Sequence, residues 1–136
     1  MDEDHLLERK TTAAIIGAFY EVYNQLGYGF LERVYSLALE RELLERGHSV
    51  EREVLVTIFY KGKPLTKQRL DMVVDRKVVV ENKSTAVLPP FTRRQTLDYL
   101  KASTLTVGLV LHFGPTAKFY RIVQTHRAMD QRHEEA

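Results

Sequence analysis

The sequence predicts an α/β (α+β) fold, a mixed β-sheet flanked by helices in the order α-α-β-β-β-α-β-β. Three observations predict it. Apolar residues recur at spacings of three and four up to about residue 46. From Val50 the period drops to two and stays there through Lys83. The link between the third and fourth strands has the length of a helical crossover, so those two strands can lie parallel.

The first helix is expected from His5 to Leu26, with Ile16, Phe19, Val22, Tyr23 and Leu26 on its apolar face. Asp4 is its expected N-cap and Gly27 its C′ residue. After Gly27-Tyr28-Gly29 a second helix runs from Leu31 to Arg46, with Leu31, Val34, Tyr35, Ala38, Leu39 and Leu43 as its apolar set, and ends at Gly47. Glu32 lies in its first turn, where an acid also complements the helix dipole. A strand from Val50 to Tyr60 follows, then a turn at Lys61-Gly62-Lys63-Pro64. The second strand is expected from Gln68 to Val74, and the third from Lys77 to Lys83 after a hairpin turn at Asp75-Arg76. Pro89 and Pro90 keep the next segment irregular. Thr92 is the expected N-cap of a third helix reaching Ala102, with Gln95 as its capping-box partner. Strands at Thr106 to Phe113 and Lys118 to Val123 complete one domain over residues 1–124, and residues 125–136 form a polar tail. His126 and His133 are expected at its solvated surface.

Length and composition bound the function. The chain has 136 residues, 44% apolar and 28% charged, which suits one globular domain. No apolar run approaches the roughly 20 residues that cross a membrane, so no membrane partner is expected. An acidic start and the lack of cysteine fit a cytoplasmic protein without disulfides or thiolate metal sites. A net charge of +2 allows a local basic patch only. Neither a phosphate-binding glycine loop nor a histidine spacing suited to zinc is present.

The stretch Val78-Val79-Val80-Glu81-Asn82-Lys83 carries the chemistry. Three β-branched residues suit a strand covered on both faces, yet it ends in opposite charges. Glu81 and Lys83 share a face, about 6–7 Å apart along the backbone. Ten residues earlier Asp71 precedes Met72-Val73-Val74. Carboxylates grouped without His or Cys suit a hard cation such as Mg²⁺ or Mn²⁺. A lysine beside them can orient water and stabilise charge on a phosphate, which points to phosphodiester hydrolysis. The same residues also suit a buried Glu81–Lys83 ion pair, or sheet-edge charges reaching solvent.

Asp71 followed by Glu81-Asn82-Lys83 at the end of an apolar strand resembles the D…ExK core of the PD-(D/E)XK nuclease superfamily. Gly29-Phe30-Leu31-Glu32-Arg33-Val34-Tyr35 resembles the motif naming the bacterial GxxExxY proteins, a branch of that superfamily. Gln95-Thr96-Leu97-Asp98-Tyr99 resembles the QxxxY motif of its recombination-type exonucleases. The resemblance spans Leu26 to Val123 and implies a restriction-endonuclease-like core and a metal-dependent nuclease acting on nucleic acid, DNA ahead of RNA. It implies that Asp71 and Glu81 bind Mg²⁺ or Mn²⁺, with the Asn82 main-chain carbonyl as a further ligand. Lys83 is then the catalytic lysine, and Glu32 an additional ligand or water holder. Gln95 and Tyr99, one helical turn apart, approach the site or the nucleic-acid backbone; otherwise they are a cap and a core tyrosine.

Two residues depart from the family pattern. Leu70 stands where proline usually precedes the aspartate, and Asn82 where an apolar residue usually divides the ExK. The Asn82 side chain is expected to face a packed layer, where an unpaired amide is costly. Arg93, Arg94 and Lys101, with Lys61, Lys63, Lys67 and Arg69, are candidates for salt-sensitive phosphate contacts, or are simply solvated. A chain with so little beyond its core favours a homodimer or an accessory partner. The other reading of the whole is a catalytically inactive nucleic-acid-binding or protein-interaction module on the same fold.

Overall fold

In a computed structural model, residues 7–126 are described. They form α1 (Arg9–Leu26), α2 (Glu32–Glu45), β1 (Val50–Tyr60), β2 (Lys63–Val74), β3 (Val78–Lys83), α3 (Thr92–Ala102), β4 (Val107–Phe113) and β5 (Ala117–Val123). The expected N-cap Asp4 lies outside the described residues. Leu7 and Glu8 form a turn before α1, which starts at Arg9 without a side-chain cap. The strands make one mixed sheet in the order β1-β2-β3-β4-β5. Only the β3–β4 pair is parallel, with α3 as its crossover.

Helices cover both faces of the sheet, which explains the unbroken run Val78-Val79-Val80. Val78 and Val80 pack with Ile15, Phe19, Leu39 and Leu43 of α1 and α2. Val79 faces the other way, toward Tyr99 and Leu100 of α3, with Leu70 and Val73. Gly108 lets α3 approach β4, because a Cβ there would meet Thr96 Cγ2 at 2.8 Å.

Two boundaries differ from expectation, and both affect the site. β2 begins at Lys63, so Pro64 lies within a strand. It is tolerated because β3 pairs only with Met72, Val73 and Val74, leaving the outer part of β2 with β1 as its one neighbour. The two strands therefore extend as a hairpin arm. In α3, Phe91 rather than Thr92 is the N-cap, and no side-chain cap bond forms. A main-chain carbonyl takes one orphan donor instead, Thr92 N–H bonding to Pro89 O at 3.1 Å, and the ordinary helical bonds begin with Gln95 N–H to Phe91 O at 2.8 Å. Thr92 is buried, and its carbonyl accepts the Thr96 hydroxyl at 3.0 Å. At the chain's end, His126 is half-buried and its Nε2 meets Leu105 O at 2.7 Å, so it is not the solvated residue its position suggested. His133 lies outside the described residues.

Candidate active site

The site forms where β2 and β3 part. Their ladder stops at Met72 and Val80, one residue short of Asp71 and Glu81. Side chains take over the cross-strand bonding there. Asn82 N–H donates to Asp71 Oδ2 at 2.9 Å, and Asp71 N–H donates to Glu81 Oε1 at 3.3 Å. Asp71 is half-buried and Glu81 only 4% exposed.

Glu32 sits half-buried in the first turn of α2, near enough to feel the charges of Asp71 and Lys83. The loop before it is clamped by Tyr35. The fully buried Tyr35 hydroxyl donates to Gly27 O and accepts Phe30 N–H at 3.3 Å, and its ring stacks on Phe113 with centroids 4.3 Å apart. Gly29 has φ 121°, which a side chain disfavours. The Gly, Glu and Tyr of the motif thus have separate jobs: Gly29 turns the loop, Tyr35 fixes it, and Glu32 enters the site. Lys83 lies within charge range of both Glu32 and Glu81.

The electrostatics follow from this crowding. Burial, then the Asp71 charge, push the Glu81 carboxyl up to about 9. The same two causes raise Glu32, with Lys83 opposing them. Like-charged carboxylates in contact share a proton or a cation. The donor set is all oxygen, which fits a hard divalent ion. The fit is to a small set, since among the described residues no three His, Asp or Glu side chains are grouped to hold one ion. Asp71, Glu81 and the Asn82 carbonyl are the groups that suit it.

Asn82 is fully buried. Its Nδ2 donates to Ser36 Oγ at 3.1 Å, while its Oδ1 has no partner. Ser36 was not singled out from the sequence, although it lies one helical turn after Glu32 and so shares its face. A cleft of about 500 Å³ opens beside the acids, with Glu32, Asp71, Ser36, Arg33, Arg52 and Arg69 in its walls. Arg69 pairs there with Glu53 at 3.5 Å.

Gln95 and Tyr99 lie one helical turn apart on α3, over the face of the sheet that Val79 and, by alternation, Glu81 share. Burial, followed by the charges of Glu81 and Asp71, raises the Tyr99 hydroxyl, and Gln95 opposes the rise. A groove of about 1100 Å³ runs from this pair between α3 and the hairpin arm, with Arg94 and Lys101 on one wall and Lys61 on the other. Arg93 is not part of it. Its guanidinium lies over the Tyr120 ring of β5, 4.4 Å from the centroid. Of the hairpin lysines, Lys63 and Lys67 are exposed and line neither cavity.

Among the described residues no helix is long and apolar enough to cross a membrane. No curated protein matches the chain. The solved structure of SSO0001 is similar in fold, with a TM-score of 0.55 and 23% identity over 94% of this chain. The chain spans 65% of that protein's length. The family model of the PD-(D/E)XK nuclease superfamily matches residues 9–123. Residues 9–123 include every element of the sheet, the parting of β2 and β3, and the Asp71, Glu81 and Lys83 cluster, and the chain belongs to the PD-(D/E)XK nuclease superfamily.

Proposed function

We propose that the protein is a Mg²⁺- or Mn²⁺-dependent nuclease that hydrolyses phosphodiester bonds, with DNA as its substrate, in the GxxExxY branch of the superfamily. One observation carries the reading. Asp71 and Glu81 lie together where β2 and β3 part, with Glu32 within charge range of Asp71 and Lys83 within charge range of both glutamates. A structural ion pair needs one acid for one base, and two carboxyls brought together beside one lysine leave an excess that a bound cation would balance.

In this reading Asp71, Glu81 and the Asn82 carbonyl hold the ion, and Glu32 is a further ligand or holds a water. Such an ion, when bound, would make water easier to deprotonate and offset phosphate charge. Glu81 gives up the proton that burial and Asp71 let it keep. The Lys83 ammonium directs the attacking water and stabilises the charge that builds on the phosphate oxygens. Gln95 and Tyr99 position the substrate backbone at the inner end of the groove, and Arg94, Lys101 and Arg69 supply phosphate contacts. Arg93, turned toward β5, contributes only where the substrate extends along that flank.

The test is cleavage of labelled DNA and RNA with Mn²⁺, comparing wild type with Lys83→Ala and Asp71→Asn. Cleavage that falls by roughly 100-fold or more in both variants supports the reading. Salt-dependent binding without cleavage of any substrate points instead to an inactive binding module. Cleavage undiminished in the variants locates the activity elsewhere.

A further inference from the structure

The groove between α3 and the hairpin arm carries two aromatic rings that packing does not require. Phe91 is 79% exposed and Phe59 62% exposed, although both line the groove. Neither ring pairs with another aromatic ring among the described residues. The backbone that carries each is nonetheless held in place. Phe91 follows Pro89-Pro90 and is the N-cap of α3, so its backbone is fixed from both sides. Phe59 sits where the β1–β2 register shifts. Regular alternation would send Ile58 and Phe59 to opposite faces, yet Thr57, Ile58 and Phe59 all line the groove.

The charges match a polyanion. Lys61, Arg94 and Lys101 border the groove, with Asp98 as its only acid. Arg94 and Asp98 are paired at 3.5 Å, but both ends are more than half exposed, and a pair of this kind yields readily to a phosphate. Lys61 lies over the Tyr60 ring at 5.4 Å. At its inner end the groove reaches Gln95 and Tyr99, and Tyr99 feels the charges of Glu81 and Asp71. Exposed rings on a held backbone, between cations, suit a strand whose bases are unstacked, because only such bases offer free faces. A duplex keeps its bases stacked on one another and leaves both phenyl rings in water.

We propose that this groove binds single-stranded nucleic acid, with Phe91 and Phe59 stacking on bases and Lys61, Arg94 and Lys101 on phosphates. The inference rests on the nuclease reading only for where the strand leads, namely past Tyr99 to the acid cluster. Its test needs no cleavage.

Fluorescence anisotropy of the full chain in EDTA, with a labelled oligothymidylate and with a duplex of equal length, reads the binding. The single strand is expected to bind at least about tenfold more tightly than the duplex. Phe91→Ala and Phe59→Ala each weaken that binding on the order of tenfold, while Phe91→Trp retains it. Duplex affinity is unchanged in all three, and circular dichroism shows an unaltered fold. Equal affinity for single strand and duplex, or alanine variants that bind like wild type, overturns the proposal. So does a homodimer that Phe91→Ala dissociates without any change in nucleic-acid affinity. If Lys83→Ala abolishes cleavage while the ring variants bind normally, the groove assignment fails and the nuclease reading stands. If binding follows the rings but cleavage ignores Lys83 and Asp71, the nuclease reading fails and the groove stands.

Discussion

Asp71 and Asn82 are joined side chain to main chain: the Asp71 carboxylate accepts the Asn82 N–H at 2.9 Å just beyond the last β2–β3 ladder pair. The bond replaces a ladder bond at the place where the sheet splits. It also orients one acid of the site using the backbone of the residue whose carbonyl is assigned to the metal. Replacing Asp71 by Asn keeps an acceptor for that N–H while removing the charge. Asp71→Asn is therefore expected to remain folded, with a thermal midpoint within a few degrees of wild type, while Mn²⁺ binding by calorimetry is lost. A variant that binds Mn²⁺ normally removes Asp71 from the ligand set.

The Glu81 carboxyl gives the pH dependence. Its folded value of about 9 lies above the ordinary 4.5, so the folded chain holds a proton that the unfolded chain has released between those limits. Stability from this group is full below the lower value and falls as pH rises through the window. Glu81→Gln removes the effect and is expected to raise stability at neutral pH by roughly 1–3 kcal/mol without metal. Urea unfolding across the window measures it, and a pH-independent difference between the two proteins counts against a raised Glu81. For the same reason Mn²⁺ binding should strengthen with pH and release protons. Calorimetry in buffers of different ionisation enthalpy detects that release.

Asn82 is a local cost to stability. Its Oδ1 is buried without a partner, and its Nδ2 is bonded only to Ser36. Asn82→Val removes the orphan and leaves the main-chain carbonyl in place. The variant is expected to be more stable by about 1 kcal/mol, with cleavage kept within a few-fold of wild type. A loss of both stability and cleavage would instead assign the amide a role in the site.

Tyr35 acts on the site through its loop. Tyr35→Phe keeps the stacking on Phe113 but removes the bonds to Gly27 and Phe30 that hold the approach to Glu32. The expected cost is about 1–3 kcal/mol in stability, together with a lower rate of cleavage. If Glu32 takes part through its position, Glu32→Gln adds little to the rate already lost in Tyr35→Phe. Fully additive losses in the double variant argue that the two residues act independently.

The sequence by itself determined the elements and which residues are proposed for the site. Helical and strand periods are properties of the local backbone, so the eight elements could be placed from spacing. The alternation of β3 put Glu81 and Lys83 on one face, and the tight turn at Asp75-Arg76 brought Asp71 opposite them. Glu32 was legible only through the motif around it, because nothing local says where the end of one helix points. Tertiary structure decided the rest. It placed Pro64 inside a strand by leaving β2 a free edge, and moved the α3 cap to Phe91 by using main-chain acceptors. It sent Arg93 to Tyr120 and away from the groove, and buried Asn82 with half its amide unpaired. Each of these depends on which surfaces meet, and that is set by the parting of β2 from β3 and the packing of α3 across the sheet, neither of which is encoded in residue spacing.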